Sequence, residues 1–156
     1  MALNVTLENN GLGVVFTYSD VLEGDAAVAA SETLYTPEVL QRLHYQIADL
    51  RAVNRVELTT RQIQRLADTD RQAAQRGNGF LVVSIVNHDI QESISRFYRT
   101  YVQDPQIESA IFKSIPAARQ WLKKKLQQRG IDLAAATELT TPPTSELEFP
   151  AQLMAN

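Results

Sequence analysis

Two threonine hydroxyls, Thr59 and Thr60, stand where the sequence predicts the start of a helix. The stretch DLRAVNRVELTTRQI, residues 49–63, indicates the end of a buried strand, a short loop and a capped helix. Backbone N–H groups at a helix start lack intrahelical partners, so a hydroxyl there caps the helix. The same donors and the helix dipole would hold a phosphate. Thr59 and Thr60 are therefore candidate regulatory residues, and a plain helix cap is the alternative.

A second group of polar residues follows the apolar run FLVVSIV, residues 80–86. Ser84, His88 and Asp89 are residue types of a hydrolase triad, but no Gly-x-Ser-x-Gly elbow surrounds the serine. The simpler interpretation is a loop after a strand, with Asp89 capping the next helix. Because α/β sheets bind ligands at the carboxyl ends of their strands, Asn87 and His88 are candidate pocket residues.

Three further residues complete the candidate pocket. Asp49 stands at the predicted end of the preceding strand. The stretch IQESISRFYRTYV predicts an amphipathic helix with Phe97 and Tyr101 near one face. Core packing is the usual fate of such aromatic side chains, and lining a cavity for a small apolar ligand is the alternative.

Metal and cofactor chemistry find no support in the sequence. The chain has no cysteine and only two histidines, His44 and His88, without His-x-x-x-His spacing. The glycines of Gly77–Gly79 come after a helix and before a strand, the reverse of a phosphate-binding arrangement. We therefore expect no metal, no cofactor and no enzymatic activity.

The elements that must position these residues alternate along the chain. Turn chemistry at residues 9–11 predicts an opening β-hairpin, and alanines predict a helix near Ala26–Leu34 that Pro37 stops. The order β-β-α-β-α-β-α-β-α predicts an α/β fold with one mixed sheet of about five strands and about four helices. We expect right-handed crossovers to connect the strands that begin near Tyr45, Phe80 and Ile107, which makes these three strands parallel.

Composition and charge limit the classes of function that the chain could have. The chain of 156 residues carries a net charge of -3, which offers no electrostatic case for nucleic acid. The amino-terminal residues lack the pattern of a signal peptide, and residues 80–86 are too few to cross a bilayer. We expect a cytoplasmic protein with no membrane span.

The carboxyl-terminal residues differ in composition from the rest. Residues 131–156 contain four acids, no lysine or arginine, and a Pro-Pro pair. We predict a domain over residues 1–130 and an acidic tail over residues 131–156 that is disordered or lies on the surface.

The segments DLRAV, LTTRQI, FLVVSIV and IFKSIPAARQWL, in this order, carry a family resemblance. Over roughly residues 3–126, the chain resembles the STAS-type fold of sporulation anti-anti-sigma factors. More closely it resembles the SpoIIAA-like family of small bacterial proteins. The resemblance implies a non-enzymatic regulatory or protein-interaction domain with an unknown protein partner.

The resemblance also bears on the candidate residues. Phospho-regulated members carry Asp-Ser-Ser-Gly at the helix start, and their second serine accepts phosphate. Here Glu57, Leu58, Thr59 and Thr60 stand in that place, so the hydroxyl of Thr59 alone is retained. Similarity to the CRAL-TRIO lipid-binding architecture implies a small apolar ligand or lipid in a pocket between sheet and helices. A homodimer through the edge strand of the opening hairpin is a further alternative.

Overall fold

A computed structural model describes residues 2–133 and 144–147 of the chain. These residues form one mixed β-sheet with helices on both faces, as the predicted α/β class and element order require. The strands are β1 Ala2–Glu8, β2 Gly13–Glu23, β3 Tyr45–Glu57, β4 Phe80–Ile85, β5 Ile107–Phe112 and β6 Thr144–Leu147. The helices are α1 Gly24–Leu34, α2 Pro37–Arg42, α3 Thr60–Arg76, α4 Asp89–Tyr101 and α5 Ile115–Gln128.

The strands lie side by side in the order β5-β4-β3-β2-β1-β6. Strands β3, β4 and β5 are parallel neighbours, which confirms the prediction for the strands that begin near Tyr45, Phe80 and Ile107. Strands β1 and β2 form the predicted antiparallel hairpin. At its turn Asn9 and Asn10 have φ values of 51° and 56°, a region that asparagine enters more readily than most residues.

Strand β3 is longer than the sequence predicted. We expected a strand over Tyr45–Leu50 and then a loop, but β3 continues to Glu57, so the loop prediction is wrong. Strand β2 also continues past Ser19 to Glu23, and its second half pairs in parallel with Ala52–Glu57 of β3. This added pairing supplies backbone partners that the local sequence does not reveal.

A short helix, α2, was not predicted from the sequence. The preceding helix α1 ends at Leu34, before Pro37, as predicted, and Pro37 occupies the first turn of α2. The side chain of Thr36 accepts a hydrogen bond from the backbone N–H of Val39 and caps this helix. Proline suits a first turn because the missing N–H would lack a helical partner there.

Strand β6 was not predicted from the sequence. It belongs to the acidic tail and pairs antiparallel with β1, from Val5 and Leu147 to Glu8 and Thr144. The remainder of the tail, residues 134–143 and 148–156, lies outside the described residues. Strand β6 also occupies the side of β1 that the dimer alternative would use, over Val5–Glu8. A homodimer stays a prediction, and this strand edge is not open to it.

The two faces of the sheet carry separate apolar clusters. One face, which we call the four-helix face, packs against α1, α2, α3 and α4. The opposite face, the α5 face, packs against α5. Alternation along β3 sends Gln46, Ala48 and Leu50 to the four-helix face and Tyr45 and Ile47 to the α5 face. None of the helices in the described residues is long and apolar enough to cross a membrane.

Candidate functional site

A cavity of about 80 Å³ lies on the four-helix face, between β2, β3 and β4 and the helices α1, α3 and α4. One water needs about 10–15 Å³ of such space, so the cavity has room for more than a single water. Most of its wall is apolar. The apolar lining consists of Phe16, Tyr18, Leu22, Ala27, Ala48, Leu50, Leu58, Ile63, Leu66, Val82, Ile94 and Tyr98.

A buried carboxylate, Asp70 of α3, is the central polar group of the cavity wall. Its Oδ1 accepts a hydrogen bond of 2.5 Å from the Tyr35 hydroxyl, and its Oδ2 accepts one of 2.5 Å from the Tyr98 hydroxyl. The Gln46 amide in turn donates to the Tyr35 hydroxyl at 2.7 Å. These bonds connect the end of α1 with α3, α4 and β3 through one polar network.

The charge of Asp70 has no protein counter-charge. In residues 2–133 and 144–147, no lysine, arginine or histidine forms an ion pair with Asp70. Burial raises the pKa of Asp70 to about 6, although the hydrogen bonds from Tyr35 and Tyr98 act in the opposite direction. At neutral pH the cavity wall therefore carries an ionised carboxylate.

Ser95 of α4 is a further polar residue of the cavity wall. Its side chain lines the cavity and is 2% exposed. Its hydroxyl makes no hydrogen bond within the described part of the chain. A buried hydroxyl without a partner is costly in free energy, so a donor or acceptor on a ligand would be stabilised there.

The position of Asp70 follows from the helical period of α3. Ile63 and Ala67 precede it on the buried face of this helix, and Ala73 and Ala74 follow it. Asp70 was not predicted as a candidate from the sequence, although it stands within an apolar stripe of helical period. The sequence signal for this site is a carboxylate at a helix position that the apolar period assigns to the core.

The five predicted pocket residues lie outside the cavity wall. Asp49 of β3 binds Arg51 instead, through a contact of 2.9 Å between Oδ2 and Nη2. Phe97 is on the outer side of α4 with 51% of its surface exposed, and Tyr101 ends the same helix. Among the aromatic residues of α4 it is the neighbouring Tyr98 that reaches the cavity.

The structure does bring Asn87 and His88 together, at the end of β4. The buried Gln91 accepts a hydrogen bond from the Asn87 backbone at 2.8 Å, and its Nε2 lies 2.8 Å from His88 Nε2. Gln91 also donates to the backbone oxygen of Val53. Gln91, and not His88, thus connects α4 with β3 and with the residues that follow β4. Ser84 lines the cavity, which His88 and Asp89 do not, so the hydrolase alternative gains no geometric support.

Thr59 caps α3 in a reciprocal arrangement. Its hydroxyl accepts from the Gln62 backbone at 3.2 Å, and Gln62 Oε1 accepts from the Thr59 backbone at 2.8 Å. Gln62 Nε2 donates to Asp25 of α1 at 3.0 Å, which links the starts of the two helices. Thr60 is the first residue of α3. Both threonines are exposed, and a regulatory role for either stays a prediction.

A second tyrosine and carboxylate network lies on the α5 face. Glu8 accepts two hydrogen bonds from Arg119, of 2.8 and 3.0 Å, and a short one from the Tyr45 hydroxyl. Burial acts to raise the pKa of Glu8, but the bonds from Arg119 and Tyr45 and the charge of Arg119 outweigh it, so the pKa is lowered. Gly13 is required here, since a Cβ atom would collide with the Tyr45 ring.

The fold and cavity define an α/β sheet protein with an apolar site on one face. Comparisons of the chain with protein-family models, with curated proteins and with solved structures found no match. The resemblance to the SpoIIAA-like family therefore stays a prediction. Within the described residues, no group of three histidine, aspartate or glutamate side chains could hold a metal ion.

Proposed function

We propose that the protein binds a small, largely apolar ligand in the cavity of the four-helix face, without catalysing a reaction. The observation that carries this proposal is a cavity of about 80 Å³ whose wall is mostly apolar. Five polar residues also line it: Ser31, Gln46, Asp70, Ser84 and Ser95. Apolar walls with a few well-placed polar groups are typical of small-molecule sites.

The polar groups would orient a ligand, while the apolar wall supplies its affinity. Transfer of an apolar group from water into such a cavity contributes about 25 cal/mol for each Å² buried. A ligand of about five non-hydrogen atoms would therefore bind in the millimolar range unless further groups contribute. The likeness to lipid-binding architectures agrees with this proposal but does not carry it.

Titration of the protein with isobutanol, followed by NMR of the methyl groups, tests the proposal. We expect saturable shifts at Leu50, Val82 and Ile94. Ala48→Val adds two methyl groups to the cavity wall and should weaken binding about tenfold. The matched control is Ala110→Val, which makes the same change in a strand but on the α5 face, and should leave binding unchanged. Equal effects of the two variants, or no saturable shift in the wild type, would refute the proposal.

A protein-interaction role is the second candidate, and the outer side of α4 favours it. Ile90 and Phe97 of this helix are 48% and 51% exposed. Both are near neighbours of Ile94 on the helix surface, at spacings of four and three residues. Exposed apolar residues grouped in this way are typical of contact surfaces.

Photo-crosslinking in the cells that produce the protein tests this second candidate. A photoreactive phenylalanine analogue replaces Phe97, and the control carries it at the exposed Gln128, at the end of α5. An adduct of discrete mass that forms from position 97 and not from position 128 is expected. The same adducts from both positions, or none from position 97, would contradict a role for this surface.

A further inference from the structure

We propose that the ligand of the four-helix face carries a protonated amine, which pairs with the Asp70 carboxylate inside the cavity. This inference rests on the proposed function and specifies its ligand class as a small apolar organic cation. It follows from the position of Asp70: the side chain lines the cavity, is 4% exposed, and has hydrogen-bond partners but no cation among the described residues.

The carboxylate retains capacity for a further donor. An ionised carboxylate has about four acceptor positions. The hydroxyls of Tyr35 and Tyr98 use one position on each oxygen. These two phenols also fix the orientation of the carboxylate, because each belongs to a different helical segment of the network. Each oxygen of Asp70 can therefore accept a second hydrogen bond, from an ammonium group in the cavity.

Electrostatics favours a cation over a neutral ligand. A buried charge is costly unless it is paired. Among the described residues, the Asp70 carboxylate accepts side-chain hydrogen bonds from the neutral phenols of Tyr35 and Tyr98 and forms no ion pair. An ammonium group on the ligand would supply the missing counter-charge in a region of low dielectric, where the attraction is strong. The same argument disfavours a carboxylate ligand such as a fatty acid, because two like charges would share the cavity.

The aromatic part of the wall suits a cation as well. Phe16 and Tyr18 stack with ring centroids 6.3 Å apart, and both line the cavity together with Tyr98. The faces of such rings attract ammonium groups. Ser95 could accept a further N–H bond with its unpartnered hydroxyl oxygen. The carboxylate, the rings and the hydroxyl are therefore compatible with one ligand group, whereas an alcohol would leave the charge uncompensated.

Three probes that share an isobutyl group test the inference: isobutylamine, isobutanol and isovalerate, each titrated near neutral pH by methyl NMR. We expect isobutylamine to bind at least about tenfold more tightly than isobutanol, and isovalerate to bind more weakly than either. Asp70→Asn keeps a side chain of the same shape and should abolish the preference for the amine, so that this variant binds isobutylamine no more tightly than it binds isobutanol.

The pH dependence in the wild type provides a test that needs no variant. Affinity for isobutylamine should fall as the pH is lowered through about 6, where Asp70 takes up a proton. The other titratable groups beside Asp70 are Tyr18, Tyr35 and Tyr98, whose raised pKa values keep them neutral throughout. Isobutanol affinity should stay constant over the same range.

The outcomes separate this inference from the proposed function. Equal binding of isobutylamine and isobutanol, or an amine preference that survives in Asp70→Asn, would overturn the inference and leave the cavity as a binding site for neutral ligands. Failure of all three probes to give saturable shifts would overturn both. If Asp70→Asn does not fold, a pH-independent preference for the amine in the wild type is sufficient to overturn the inference.

Discussion

Two carboxylates on opposite faces of the sheet, the partly buried Glu8 and the buried Asp70, accept hydrogen bonds from tyrosines, and they differ in whether a cation stands beside them. Glu8 on the α5 face has Arg119, which binds it through two nitrogens. Asp70 on the four-helix face has Tyr35 and Tyr98 and, within the described residues, no cation. The pKa shifts have opposite signs in consequence: lowered for Glu8 and raised for Asp70.

This difference separates a structural pair from a group available to a ligand. Arg119 balances the charge of Glu8 within the protein, and Glu8 is not one of the residues that line the cavity of the four-helix face. Asp70 is held by neutral donors next to an apolar cavity. Proteins rarely keep a buried charge uncompensated, and perturbed groups in clefts are candidates for function.

The largest expected effect is on the pH dependence of stability. The folded pKa of Asp70, about 6, lies above its unfolded value of 3.8, so the folded state binds the proton more tightly. The contribution of Asp70 is complete below about pH 4 and is lost as the pH rises through about 6. The free energy of unfolding of the wild type should fall by about 3 kcal/mol relative to Asp70→Asn between about pH 4 and pH 7.

Urea denaturation of both proteins at several pH values measures this difference. Glu8→Gln provides the control with the opposite sign, because the lowered pKa of Glu8 makes its contribution present above the unfolded pKa and lost as the pH falls. Parallel pH curves for wild type and Asp70→Asn would show that Asp70 has an ordinary pKa.

Removal of one tyrosine hydroxyl from each network should give unequal losses of stability. Tyr35→Phe leaves Gln46 and one oxygen of Asp70 unpaired in the core, and we expect it to cost about 2 kcal/mol. Tyr45→Phe should cost about 1 kcal/mol, because Arg119 still binds Glu8. Chemical denaturation at neutral pH compares the two, and equal losses would mean that Arg119 does not compensate for the missing phenol.

Arg119→Met tests the other half of the comparison by removing the cation from Glu8. The pKa of Glu8 should rise, because the charge and hydrogen bonds of Arg119 no longer oppose the effect of burial, although the bond from Tyr45 remains. We expect the free energy of unfolding to fall by about 1 kcal/mol, a small value since the Arg119 side chain is 46% exposed and solvent screens the pair. NMR titration of the Glu8 carboxyl carbon measures the pKa, and an unchanged value would contradict this account.

The smallest expected effect comes from Ser95. Without ligand, Ser95→Ala removes a buried hydroxyl that has no protein partner and should stabilise the fold by less than about 1 kcal/mol beyond its helix propensity. Ser93→Ala makes the same change at an exposed position of α4 and corrects for propensity. A thermal unfolding midpoint that rises more for Ser95→Ala is expected, and a larger rise for Ser93→Ala would argue that Ser95 is already satisfied.

Local patterns predicted the fold better than they predicted the site. Apolar runs such as Phe80–Ile85 and the stripe of α3 are visible in the sequence because burial imposes a period. The extension of β3 to Glu57 depends on its pairing with β2, a partner 34 residues away at Glu23, and no local pattern encodes it. We expected a loop after Leu50 because this pairing cannot be inferred from residues 51–57 alone.

The candidate site depended on contacts between distant segments. Tyr35, Asp70 and Tyr98 come from three helical segments and meet only when α1, α3 and α4 cover the sheet. We expected ligand-binding groups at the ends of the strands. Asn87 and His88 lie at the end of β4, but they contact Gln91 there and do not line the cavity. The sequence around Asp70, unlike that around Asn87 and His88, does indicate a buried polar group, because an acidic residue stands within the apolar stripe of its helix.

The pairing of β1 with β6 also has a consequence for how the chain acquires its structure. Val5 and Leu147 are partners across about 140 residues, so this contact closes a very long loop. Contacts of such separation form slowly. During synthesis the outer edge of β1 stays unpaired until residues 144–147 have been translated. Until then the opening hairpin presents an unpaired strand edge, which is a template for association with other nascent chains.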